Sequence, residues 1–191
     1  MLTGFAQDWE EEGVDKTGWY LTEANLLDFV GILAETAHNT TTLRGLPLMF
    51  GQKNANHLAS RLVNTVDFAV LEDCQGLNGR FPGMHEAFCH DFQAFVTGEN
   101  RTDGRKLPVF EIEYPGSTGE GSEVLSRADW QYYCQREKRV VGNVGFSQVI
   151  KHESDQIDGW GQYCQDNERL GTVRTVTLPI GKDPSYIDED D

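Results

Sequence analysis

The stretch 66-VDFAVLEDC-74 decides how this chain is read. Val66, Phe68, Ala69, Val70 and Leu71 make a near-continuous apolar run of strand length, rich in β-branched and aromatic residues. A continuous rather than alternating run marks a parallel strand covered on both faces. Buried strands ordinarily close on turn formers, but this one closes on Glu72, Asp73 and Cys74. Polar residues at a strand's C-terminal end lie where parallel α/β folds build their active sites.

The neighbouring segments repeat the pattern. Thr22 and Glu23 open a helix whose apolar stripe is Leu26, Leu27, Val30, Leu33, Ala34 and Ala37. "GLPLMFG" (45–51) reads as a buried strand closing on Gln52-Lys53-Asn54, and Ala55, Leu58, Ala59, Leu62 and Val63 as the next helix. After the opening stretch come a helix over 84–96, a strand in "LPVFEIEYP" (107–115), a helix over 125–137 and a strand in "GFSQVIKH" (145–152). Leu2 to Phe5 reads as the end of one more strand, with Asp8 following it. Strands alternating with helices predict an α/β fold with a parallel sheet and crossover helices. The last stretch, ending "YIDEDD", reads as an acidic flexible tail, giving one domain over 1–165 and a tail over 166–191.

Composition narrows the partners. The 191 residues carry 31 acids against 16 bases, a formal net charge of −15, which disfavours nucleic acid and anionic membrane. It suits a cationic ligand. No apolar run is long enough to cross a bilayer. The opening "MLTGFAQDWEEE" has neither the basic nor the apolar region of a signal peptide, whereas four widely spaced cysteines and the sequons at Asn39 and Asn100 point towards secretion.

Five strand ends bring chemistry to one rim: Asp8, then Gln52-Lys53-Asn54, Glu72-Asp73, Glu111-Glu113-Tyr114 and Lys151-His152. Glycoside cleavage needs two carboxylates, one to attack or stabilise the anomeric carbon and one to protonate the leaving oxygen. Asp8 and Glu72 are the natural pair. His152 is more simply a capping or solvated residue, and Trp160 either packs in its turn or stacks on a sugar.

These segments, with "TGFAQD", "FGQKN", "PVFEIEYP" and "GFSQVIKHESDQIDGWGQYC", resemble glycoside hydrolase family 114 over roughly residues 3 to 164. The resemblance implies a (β/α)8 TIM barrel, here a partial one corresponding to about strands four to eight. Strands one to three and any secretion signal are then expected upstream of Met1. It implies a secreted hydrolase cleaving α-1,4-galactosaminidic bonds in a cationic polysaccharide. Alternatives are an α-galactosidase on neutral galactosides and a non-catalytic remnant. The family's two catalytic segments fall on Gly4–Asp8 and Leu71–Cys74, so Asp8 is expected as nucleophile and Glu72 as acid/base. Lys53, Asn54, Asp73, Glu113, Tyr114 and Lys151 are expected to contact the sugar. Ala6, Gln7 and Leu71 depart from the family pattern, where an acid, a proline and an asparagine are usual.

Cys74 and Cys89 are close enough to clip the loop after the strand, and Cys134 with Cys164 is expected as the second bridge. A metal site from His85, His90, Cys74 and Cys89 fits no standard zinc spacing. No metal and no cofactor are therefore expected.

Overall fold

The computed structural model describes residues 21–76, 87–116, 125–135, 137–152, 161–164 and 171–172. Helix α1 spans Glu23–Asn39. Its start is set by a capping box: the Asn25 N–H donates to Thr22 Oγ1 at 3.3 Å, and the Thr22 N–H donates back to Asn25 Oδ1 at 2.9 Å. Val30 and Ala34 are buried from its stripe, while Phe29 and Ile32 on another side stay exposed. At its far end His38 Nε2 lies 2.8 Å from Asp67 Oδ2, which also accepts the Phe50 N–H at 2.9 Å. That carboxylate joins the helix end to the entrances of the first two strands.

The first described strand, β1, is Gly51–Lys53. It starts later than the apolar run 45–51 suggests. Pro47 has no N–H for a ladder. The preceding segment instead turns on itself through a Thr41–Pro47 bridge and leaves Leu46 and Met49 exposed. A 3-10 turn Asn56–Leu58 and helix α2 (Ala59–Leu62) lead to β2, Phe68–Glu72. The 84–96 helix is a 3-10 turn Cys89–Phe92 running into α3 (Gln93–Thr97), and its first residues lie outside those described. β3 is Val109–Glu113, α4 is Arg127–Cys134, α5 is Lys138–Val141 and β4 is Ser147–Ile150. The 2–5 strand and most of the acidic tail also fall outside the described residues.

β1 to β4 run parallel in sequence order, so all four C-terminal ends share one edge. β5 (Gln162–Tyr163) and β6 (Gly171–Thr172) extend the sheet antiparallel, an addition the apolar pattern does not announce. An order that advances without reversal belongs to a barrel wall rather than to a doubly wound sheet.

Among the described residues the helices cover one face of this wall. Ala69, Leu71 and Val109 point into a core with Leu58, Phe92 and Phe95. Burying each of those two phenylalanines is worth about 1.5–3 kcal/mol. The alternate residues face the other way. Phe68 and Phe110 meet edge-on there at 6.2 Å, with Phe110 44% exposed. Gly51 leaves room on that face for the Phe68 ring, which would stand 2.3 Å from a Cβ there and have to turn aside. In a closed barrel this face is the interior. The disulfides are Cys74–Cys89 and Cys134–Cys164, as expected.

Candidate active site

The end of β2 carries Glu72, on the open face with Val70 and Phe68. Its neighbour across the ladder is the end of β1, because Lys53 pairs in register with Val70. This places the Lys53 ammonium directly on Glu72 Oε2 as an ion pair. From the third strand, Tyr114 donates its hydroxyl to Glu72 Oε1 at 3.3 Å. The main chain is fixed as well: the Glu72 N–H donates to Asn54 Oδ1 at 2.8 Å. Three consecutive strand ends therefore converge on one carboxylate. All three groups, Lys53, Glu72 and Tyr114, are only partly buried, so a ligand on the open face reaches them.

The turn behind Glu72 is tight. Asp73 has a φ of 53°, in the left-handed region where aspartate is one of the better tolerated side-chain residues. Its N–H donates to the Ile112 carbonyl at 2.9 Å, and its own carbonyl accepts the Gly76 N–H at 2.9 Å. Cys74 then enters the core fully buried.

Other expected site residues are placed differently. Asn54 is buried, and its side chain serves the Glu72 main chain. Lys151 is half-buried just past β4, where its N–H donates to the Glu113 carbonyl at 2.9 Å. Glu113, expected at the sugar site, instead points to the helix-covered face and is 0% exposed. Strand alternation is the reason: Glu111 and Glu113 share a face with buried Val109, whereas Phe110 and Ile112 share one with Glu72. Asp8 lies outside the described residues, as do His85 and Trp160. Asn39 and Asn100 are both exposed.

Gln75 and Asn143, which the sequence reading passes over, bind the acids behind the sheet. Gln75 donates its N–H to Glu113 Oε1 at 3.1 Å and its side-chain amide to Glu111 Oε1 at 2.6 Å. Asn143 Nδ2 donates to both Glu111 oxygens, at 3.1 and 2.9 Å. The signal available for this cluster is the two-residue spacing of Val109, Glu111 and Glu113. Burial pushes the Glu113 carboxyl well above its usual range, and the Glu111 charge adds to this, against the Gln75 N–H. Cys74, Cys89, Glu111 and Glu113 offer atoms within 4.8 Å of one another, but both sulfurs are spent in a disulfide and give no thiolate to a metal. No helix among the described residues is long and apolar enough to cross a membrane.

The model of glycoside-hydrolase family GH114 matches residues 6–169. The fold is similar to the crystal structure of Aspergillus fumigatus Ega3 in complex with galactosamine, at 24% identity and a TM-score of 0.56. The match covers 83% of this chain and 51% of that one, so the chain spans about half the length of the structure it matches. A half-length match of this kind agrees with a wall of a barrel rather than a closed one. No curated protein matches the chain significantly.

Proposed function

The chain belongs to glycoside-hydrolase family GH114, and from that premise we propose that it cleaves α-1,4-galactosaminidic bonds in a galactosamine-containing polysaccharide. One observation carries the reading: Glu72 stands at the shared C-terminal edge, held by Lys53 and Tyr114 from the strands on either side. The galactosamine bound to the similar Ega3 structure supports the sugar.

In this reading Glu72 is the acid/base and Asp8 the nucleophile. Glu72 donates a proton to the glycosidic oxygen as Asp8 forms a bond to the anomeric carbon. It then takes a proton from the water that releases the sugar. Lys53 provides the positive charge beside Glu72 while the carboxylate is ionised. An incoming galactosamine unit brings an ammonium of its own, and the acidic protein favours its approach. Tyr114 offers a ring for a sugar face as well as its hydroxyl, while Asp73 and Lys151 line the same edge. An extracellular location fits the two disulfides.

The test is hydrolysis of polygalactosamine by the chain and by its Glu72→Gln variant. The amide cannot exchange a proton, so turnover should fall by about two to four orders of magnitude. A Glu72→Gln enzyme turning over at the parent rate removes Glu72 from the chemistry.

A further inference from the structure

Glu111 and Glu113 pose a bonding problem on the covered face of β3. Both are fully buried, and their carboxyl oxygens lie within 4.8 Å of each other. Two ionised carboxylates cannot share such a dry space at acceptable cost. Counting donors shows where a proton is wanted. Glu111 receives N–H groups from Gln75 and Asn143 on both oxygens. Glu113 Oε1 receives the Gln75 N–H, but Oε2 is buried and meets no donor or acceptor hydrogen bond among the described residues. The two carboxyl groups also meet each other, a contact that becomes a hydrogen bond only when one of them carries a proton; the N–H donors on Glu111 make Glu113 the protonated partner and Glu111 the ionised acceptor.

Gln75 is the piece this pair holds. Its N–H goes to Glu113 and its side chain to Glu111 and, at 3.3 Å, to the Tyr133 carbonyl. Its own carbonyl accepts the Tyr132 hydroxyl at 3.1 Å. Gln75 lies three residues after Glu72, at the far end of the turn that begins at Asp73.

We propose that Glu113 is a positioning residue for Glu72: one proton held between Glu113 and Glu111 locks Gln75, and through it the turn 73–76, from the face of the sheet opposite the site. The positioning half rests on the role of Glu72 proposed above, while the shared proton does not. The titratable groups that act on the pair are Asp73 from the turn and Tyr133 from α4, which in turn feels Tyr132 and Asp129; Lys151 after β4 contributes its N–H to the Glu113 carbonyl. The raised affinity of Glu113 for its proton agrees in direction with the donor count.

Glu113→Gln puts an N–H where the proton is required and removes the titration. The folded wild type holds its proton above the ordinary value of 4.5, so its stability relative to Glu113→Gln should fall as pH rises from there. The loss should be about tenfold in the folding equilibrium constant per pH unit, until the folded-state value is passed. Stability–pH curves that run parallel for the two proteins would overturn the shared proton. Hydrogen exchange at the Gln75 amide reads the lock directly: faster in Glu113→Ala, restored in Glu113→Gln. In hydrolysis, Glu113→Ala should lower kcat with little change in KM, and Glu113→Gln should recover it. A Glu113→Gln protein that folds as wild type yet exchanges Gln75 as fast as Glu113→Ala overturns the positioning role. If the wild type itself leaves polygalactosamine intact, the substrate reading fails, and stability and exchange still decide this one.

Discussion

Asn54 Oδ1 accepts the backbone N–H of Glu72 at 2.8 Å, and Asn54 holds a φ of 46° to do so. The residue before it, Lys53, grips the Glu72 side chain. Two adjacent residues, the last of β1 and the one after it, thus fix both the main chain and the carboxylate of one residue on β2. Asparagine suits the position because it tolerates the left-handed region and carries an acceptor on a short arm.

Asn54→Ala removes the acceptor and leaves the Glu72 N–H without that partner, and alanine is less at ease at positive φ. The expected cost is about 1–3 kcal/mol of folding free energy. Asn54→Asp keeps the acceptor and should recover most of it. Urea unfolding of the three proteins checks this. An alanine variant as stable as the parent would show that the contact contributes nothing.

Lys53→Met separates chemistry from stability. The Lys53–Glu72 pair is only partly buried, with side chains 22% and 30% exposed, so solvent screening keeps its contribution to folding near about 0–1 kcal/mol. Its charge next to the acid/base matters more in the reaction. We expect kcat/KM on polygalactosamine to fall by about ten- to a hundredfold, or roughly 1.4–2.8 kcal/mol of transition-state stabilisation. A variant losing stability and activity in equal measure would make Lys53 a structural residue.

The two disulfides should separate in the same manner. Cys74–Cys89 closes 15 residues and Cys134–Cys164 closes 30. Chain entropy gives about 3 kcal/mol for the shorter and about 0.6 kcal/mol more for the longer. Only the shorter one begins two residues after Glu72. Replacing Cys74 and Cys89 by alanine should therefore lower kcat more than replacing Cys134 and Cys164, despite the smaller entropic loss. Thermal melts and initial rates on both double variants decide the order.

What the sequence made legible follows from period and punctuation. The run 66–71 reads as a parallel strand because its apolar residues are continuous and its end is acidic, and β2 lies there. The helix beginning after Thr22 reads correctly because the cap and the stripe agree. The 45–51 run misleads because hydrophobicity alone does not reveal that Leu46 and Leu48 pair back onto Thr42 and Thr40 rather than onto the next strand. Continuous runs also suggest helices on both faces, whereas the described helices cover one, since a wall of a barrel is apolar towards an interior that the described residues do not enclose. Its place at a strand end puts Glu113 on the rim by sequence. Its face is set by parity with Val109, and only the register fixes which parity is covered.

Tyr133 carries an alkaline signature. Burial chiefly, with the charges of Glu113 and Asp73 next, pushes its hydroxyl well above the usual 10.0. The folded state therefore keeps a proton that the unfolded state gives up. This contribution to stability is intact below pH 10 and is lost progressively as pH rises above it. Phenolate absorbance should rise in two stages, the second coinciding with loss of far-ultraviolet circular dichroism. Tyr133→Phe should remove one phenolate from the second stage. A single early rise with the fold intact would contradict the burial.

Salt separates a cationic substrate from a neutral one. At a net charge of −15 the protein attracts an amine-bearing polymer over a distance set by the screening length, about 10 Å at 0.1 M salt and about 3 Å at 1 M. Raising sodium chloride from about 0.05 to 0.5 M should raise KM for polygalactosamine several-fold, because encounter is screened, and leave kcat nearly constant, because the Glu72 chemistry occurs at contact distance. The same polymer after N-acetylation has no ammonium groups to attract, so any hydrolysis of it should be nearly independent of salt. Equal salt dependence on both polymers would mean that the protein's acidity serves solubility and not substrate recognition.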